Sequence, residues 1–90
     1  MITSTIIATS YALPANRLTQ AELIQRFGEK AVNSIAKMSG IKERRVVASG
    51  QCASDLALSA ASRLIKYHNI DRKTIDLLTF SSQTPDYKIP

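Results

Sequence analysis

Cys52 and His68 carry the only thiol and the only imidazole in these 90 residues. A thiol at the start of a helix gains thiolate character from the helix dipole, and Cys52 stands just ahead of the longest apolar stripe in the chain. His68 is the only base that could complete a Cys–His pair, and it lies at the far end of the same stripe. The stripe has helical period, so sixteen residues at about 1.5 Å of rise each would hold the two groups roughly 24 Å apart. That separation excludes a dyad, and His68 reads instead as a surface histidine favoured by the helix C-terminus. One thiol and one imidazole also fall short of a four-ligand zinc site, and a lone cysteine makes no intrachain disulfide. Asp55 reads as a first-turn acid favoured by the helix dipole. Asp86, beside Pro85, reads as a turn former. Neither is expected to act as a catalytic acid.

The charged side chains offer a second kind of chemistry. Twelve Lys and Arg against seven Asp and Glu give a net charge of +5. The basic residues are spread from Arg17 to Lys88, with one tight cluster, Lys42-Glu43-Arg44-Arg45. No aromatic side chains are interleaved with that cluster as base-stacking platforms require, so nucleic acid is not an expected partner. A scattered basic excess fits a solvated surface or a dock for an acidic protein. Arg44 and Arg45 therefore admit two readings: the edge of a docking or nucleotide site, or a turn whose arginines pair with carboxylates such as Glu43. The second is favoured.

The elements that must position these groups are legible in the pattern. Thr3 to Tyr11 is rich in β-branched residues and closes at Leu13-Pro14, which predicts a first strand. Thr19-Gln20-Ala21-Glu22 is a capping box, with Leu18 and Leu23 placed as a hydrophobic staple. It predicts a short helix from about Gln20 to Phe27, stopped at Gly28 in left-handed C′ geometry. A second helix is expected from Glu29 to about Met38, with Ala31, Val32, Ile35, Ala36 and Met38 as its apolar face and Gly40 as its stop. The charged run 42–45 reads as a surface turn, Val46-Val47 as a brief extended segment and Ser49-Gly50-Gln51 as a loop.

Apolar residues at 53, 56, 57, 60, 61, 64 and 65 trace one face of an amphipathic helix from about Ala53 to His68, ended by Asn69. Four of those seven are alanine, which favours close packing against a neighbour. Thr74 to Ser81 suits a strand covered on both faces, and a polar tail with two prolines runs from Gln83 to Pro90. The order β, α, α, short β, α, β is an α/β pattern. Two strands of this kind cannot build a doubly covered sheet, so the chain is expected to begin a larger α/β domain.

Composition excludes several classes. An apolar share of 44% with 3 Gly and 3 Pro is that of a folding chain rather than a collagenous or disordered one. No apolar run approaches the roughly 20 residues needed to cross a bilayer. The N-terminus lacks the basic and apolar regions of a signal peptide, so no membrane partner is expected and the cytoplasm is the expected compartment.

Four motifs in order carry a resemblance: Ser10-Tyr11-Ala12-Leu13-Pro14, Gly40-Ile41-Lys42-Glu43-Arg44-Arg45, Ala53-Ser54-Asp55-Leu56-Ala57 and Thr84-Pro85-Asp86-Tyr87-Lys88-Ile89-Pro90. Together they resemble the N-terminus of the β-ketoacyl-acyl-carrier-protein synthase III family, of the thiolase superfamily, over essentially all 90 residues. The resemblance implies a thiolase-like layered fold, a mixed sheet covered by helices, of which residues 1–90 form the N-terminal, incomplete part. It implies a homodimeric acyltransferase that condenses an acyl thioester with a malonyl group on acyl carrier protein, with decarboxylation and no cofactor. The acyl thioester is carried on coenzyme A or on a carrier protein. The family's nucleophilic Cys, with its His and Asn, is expected downstream of residue 90, and Cys52 falls at a junction with no catalytic role.

In coenzyme-A-primed members a Trp, an Arg and a Thr contact the nucleotide. Those positions fall here on Ser34, Met38 and Ser39, and only Ser39 keeps the chemistry. Ser34 has no ring to stack on adenine and Met38 cannot neutralise a phosphate, although the adjacent Lys37 could supply a charge. The departure leaves room for a starter delivered on a carrier protein. Two other readings stand beside this one: a condensing enzyme of secondary metabolism with the same fold, or a small basic binding module complete in itself.

Overall fold

Thr19 does two jobs at once, ending a strand and capping a helix. In the structure, a computed structural model that describes residues 2–87, β1 spans Asn16–Thr19 and α1 spans Gln20–Phe27. The capping box forms as the sequence predicts: the Glu22 N–H donates to Thr19 Oγ1 at 3.3 Å and the Thr19 N–H to Glu22 Oε2 at 3.2 Å. Two of the amides left over at a helix start are satisfied this way.

The chain divides into two compact units, Leu13–Gly50, and Met1–Ala12 together with Gln51–Pro90. In the first unit, α2 runs Glu29–Ser39 and β2 Glu43–Val46. The strands pair antiparallel, Asn16 with Val46, Arg17 with Arg45, Leu18 with Arg44 and Thr19 with Glu43. The charged run is thus a strand and not the expected surface turn. Its side chains alternate: Arg44 is half-buried while Glu43 and Arg45 are exposed, the period of a strand with one covered face. Arg17 and Arg45 stand directly opposite each other, an unfavourable pairing. Both reach Glu43, at 3.4 and 3.7 Å, which offsets the repulsion.

Gly28 joins α1 to α2 alone. Its N–H donates to the Ile24 carbonyl at 2.9 Å and its own carbonyl accepts from the Val32 N–H at 3.3 Å. The expected left-handed geometry is not what it adopts: φ is 87° but ψ is 151°, because one residue must close one helix and redirect the chain into the next. Gly40 does take the left-handed form, at φ 72° and ψ 5°. On α2, Val32 is buried and Ala36 half-buried, whereas Met38, expected on the apolar face, is 85% exposed.

In the second unit α3 spans Ala53–Tyr67. All seven positions of the predicted stripe are half-buried. The helix closes with His68 as C-cap and Asn69 at φ 51°. The Ile70 N–H donates back to Ile65 and the Asn69 N–H to Lys66, at 3.0 and 3.4 Å, the pair of bonds of a Schellman ending.

The strands expected over Thr3–Tyr11 and Thr74–Ser81 do not form. Arg72–Thr74 is a 3-10 turn capped by Asp71, and residues 2–13 and 75–82 belong to no ladder. Their apolar side chains are exposed: Ile6 at 84%, Ile7 at 85%, Leu77 at 82% and Leu78 at 79%. A strand exists only by pairing, and the sheet found among the described residues is the antiparallel β1–β2 pair alone. Lys88, Ile89 and Pro90, the end of the last motif and of the polar tail, lie outside the described residues. Among those described, no helix is long and apolar enough to cross a membrane.

Candidate functional site

The residues carried over from the family sit on the last turns of α2, which ends at Ser39. Ser34 and Met38 are four apart, on one exposed side of the helix. Ser34 borders a shallow open depression with Phe27 and Lys30. Ser39 is partly committed: its Oγ accepts from the Ile41 N–H at 3.2 Å, bracing the turn at Gly40. The hydroxyl proton stays available to donate. Lys37 is exposed. This face is flat and solvated, and it offers two hydroxyls, one ammonium and one thioether, with no aromatic plane among Ser34, Lys37, Met38 and Ser39.

Arg44 and Arg45 separate. Arg45 is built into the two-stranded sheet, donating to the Pro14 carbonyl at 3.2 Å and meeting Glu43 at 3.7 Å, so it pairs with the expected carboxylate, but from a strand rather than a turn. Arg44 instead borders a hollow of about 300 Å3 walled by Leu18, Leu23, Phe27, Val32 and Ile35. Sequence reasoning missed this hollow. Its signal was present in the staple pair Leu18 and Leu23, both of which line it.

Cys52 is exposed and stands at the N-cap of α3, its N–H donating to Asp55 Oδ2 at 2.8 Å. Asp55 therefore acts as a helix-start residue, as expected, through a direct bond. His68 is the C-cap of the same helix, its ring edge-on to Tyr67 at 5.0 Å. The structure places the two at opposite ends of α3, so it brings no base to the thiol. Two further links were not foreseen: Ser54 Oγ donates to Asp86 Oδ2 at 2.7 Å, and Arg63 to the Tyr11 carbonyl at 3.1 Å. The second joins the N-terminal extended segment to α3.

No family model matches the chain. It is 39% identical over 85 residues to β-ketoacyl-[acyl-carrier-protein] synthase III of Laribacter hongkongensis (strain HLHK9), across 94% of this chain and 26% of that protein. The chain is thus similar to part of a synthase III. A crystal structure of 3-oxoacyl-(acyl-carrier protein) synthase from Burkholderia xenovorans LB400 matches 91% of the chain with a TM-score of 0.73 and 29% identity, and the match takes in 25% of that structure. The synthase III resemblance carried by the four motifs holds, and so does the α/β, thiolase-like fold class. The chain spans about a quarter of the length of the curated synthase III that it matches.

Proposed function

We propose that this chain supplies the N-terminal quarter of a synthase III-type condensing enzyme of fatty acid biosynthesis, and that it is not catalytic by itself. The observation that carries the reading is the 85-residue alignment at 39% identity, which takes in nearly the whole chain. The exposed apolar side chains of the unpaired segments 2–13 and 75–82 support it, since extended chain of that composition calls for sheet partners from elsewhere.

In the complete enzyme, a cytoplasmic homodimer, a cysteine outside residues 1–90 attacks the acyl thioester. The starter thiol leaves with its proton and the acyl group stays on sulfur. A malonyl group on acyl carrier protein then loses carbon dioxide, and the resulting enolate takes the acyl carbon and frees the cysteine. Oxyanion donors stabilise both steps. Within this chain the contribution is substrate contact: Ser39, with Lys37, Ser34 and Met38, forms the starter-facing edge of α2, and Arg45, exposed on β2, lies toward the carrier protein. With serine and methionine where coenzyme-A-primed relatives carry an indole and a guanidinium, the favoured starter is an acyl group on a carrier protein.

Acylation of the full-length protein by radiolabelled thioesters tests the reading. Label on a cysteine outside residues 1–90, kept in Cys52→Ala, with carbon dioxide release on adding malonyl carrier protein, is the expected result. Faster acylation from acyl carrier protein than from acyl coenzyme A supports the carrier-borne starter. Label on Cys52, or none, overturns the reading.

A further inference from the structure

Three arginines lie on the β1–β2 sheet, and two of them share one acid. Arg17 and Arg45 both approach Glu43 Oε1. Arg44 lies between Glu43 and Arg45 on β2, on the other side of the strand, half-buried and in register with Leu18. Its guanidinium makes no hydrogen bond or ion pair among the described residues. A cation partly withdrawn from water without an acceptor is costly.

Arg44 borders the hollow of about 300 Å3 whose walls include Leu23, Phe27, Val32 and Ile35. Gln20 lines the same hollow, and its Oε1 is sealed from solvent with no hydrogen-bond partner. An apolar recess of this size with a few polar groups on its wall has the composition of a small-molecule site, at the lower end of the usual range.

We infer that this hollow binds a small anionic amphiphile, an aliphatic carboxylate whose tail lies on the apolar wall and whose head group pairs with Arg44. Charge complementarity selects that class. Water solvates the guanidinium but leaves the apolar wall wet. A neutral hydrocarbon covers the wall but strips the guanidinium of water. A carboxylate with an aliphatic tail satisfies both, through the fork geometry that arginine offers to two oxygens. The Gln20 carboxamide, turned by half a revolution, presents its NH2 to the same head group. The argument uses residues of the Leu13–Gly50 unit alone and no step of the condensing reaction, so its test is independent of that reading.

Photo-crosslinking of the full-length protein with an aliphatic carboxylate bearing a terminal diazirine tests it, with labelled peptides mapped by mass spectrometry. Labelling is expected within residues 18–36 and is competed by octanoate but not by octanamide. Arg44→Gln lowers it about tenfold, the loss expected for a charged hydrogen bond. Arg44→Lys restores much of it, and Arg17→Gln leaves it unchanged. Val32→Phe, which fills the hollow, abolishes it. Labelling confined to other peptides, equal competition by octanamide, or wild-type labelling of Arg44→Gln would overturn the proposal.

Discussion

Ser54 Oγ donates to Asp86 Oδ2 at 2.7 Å, joining the first turn of α3 to the polar tail thirty-two positions later. The bond ties two of the motifs that carry the family resemblance, the Ala53–Ala57 helix start and the Thr84–Pro90 stretch. Asp86 is exposed, so the bond contributes modestly to global stability, about 1 kcal/mol or less. Its effect is local. Ser54→Ala and Asp86→Asn are expected to speed amide exchange over residues 84–87 by several fold while the protection of α3 stays as it was. Unchanged exchange in both variants would show that the tail is held by other means.

The capping box at the start of α1 gives a prediction of known size. Thr19→Ala removes the acceptor for the Glu22 amide, a loss of about 1 kcal/mol in such sites. Thr19→Ser keeps the hydroxyl and should recover most of that. Because Thr19 also closes β1 opposite Glu43, the loss should appear as faster exchange in both α1 and the β1–β2 pair. A change confined to one of the two would mean that strand and helix open separately.

Gly28 and Gly40 are distinguished by ψ alone. Both have positive φ, and an added Cβ would meet nothing within 4 Å at either, so backbone conformation decides the cost of substitution. At Gly40 the left-handed form tolerates asparagine, and Gly40→Asn should be milder than Gly40→Ala. Gly28, at φ 87° and ψ 151°, sits where glycine alone is comfortable. Gly28→Asn and Gly28→Ala should therefore cost alike, on the order of 1–3 kcal/mol, read from denaturation midpoints. A tolerated Gly28→Asn would contradict the strain argument.

What the sequence revealed and what it hid divide along one physical line. Helices make their hydrogen bonds within a single segment, so the Thr19–Glu22 box, the stop at Gly40 and the seven-residue stripe of α3 were legible from local spacing. Strands depend on partners. The β-branched run Thr3–Tyr11 looked like a strand and has none to pair with here, whereas the run 42–45 looked like a charged turn, with extended chain only from Val46, and the strand begins at Glu43 because Asn16–Thr19 lies beside it. The candidate site follows the same rule. Helical spacing placed Ser34, Lys37 and Met38 on a helix, whereas their candidacy, and that of Ser39, came from the family resemblance counted back from Gly40. The role of Arg45 was half visible through Glu43, but its bond to the Pro14 carbonyl spans thirty-one positions, and no local pattern announces it. Arg44 and its hollow required the long-range register of β1 with β2.

The exposed thiol of Cys52 yields a further prediction. It lies exposed at the N-cap of α3, with His68 at the far end of the helix, so alkylating reagents should reach it in the folded protein. Cys52→Ala should leave acyl transfer within twofold of the unmodified enzyme, because the nucleophile is expected elsewhere. A loss of tenfold or more in that variant, with the fold intact by circular dichroism, would return Cys52 to the catalytic set.

The unpaired segments make the most consequential prediction, since they bear on whether these residues suffice to fold. Ile6, Ile7, Leu77 and Leu78 are all about four-fifths exposed or more, and Val32 is the only buried residue of the hydrophobic core among those described. A chain that buries so little apolar surface gains little against the entropy of ordering it. In the isolated 90-residue chain, amides 3–11 and 75–81 should exchange at nearly the rate of an unstructured peptide, and the chain should self-associate through its exposed apolar side chains. In the full-length protein the same amides should be protected by at least a hundredfold, a ratio that corresponds to about 2.7 kcal/mol of local stability at the standard ten-per-1.4 kcal/mol conversion. Protection of both stretches in an isolated monomer would instead favour a self-sufficient basic module. In that case the match to a quarter of synthase III would report shared ancestry of a fold element rather than a missing remainder.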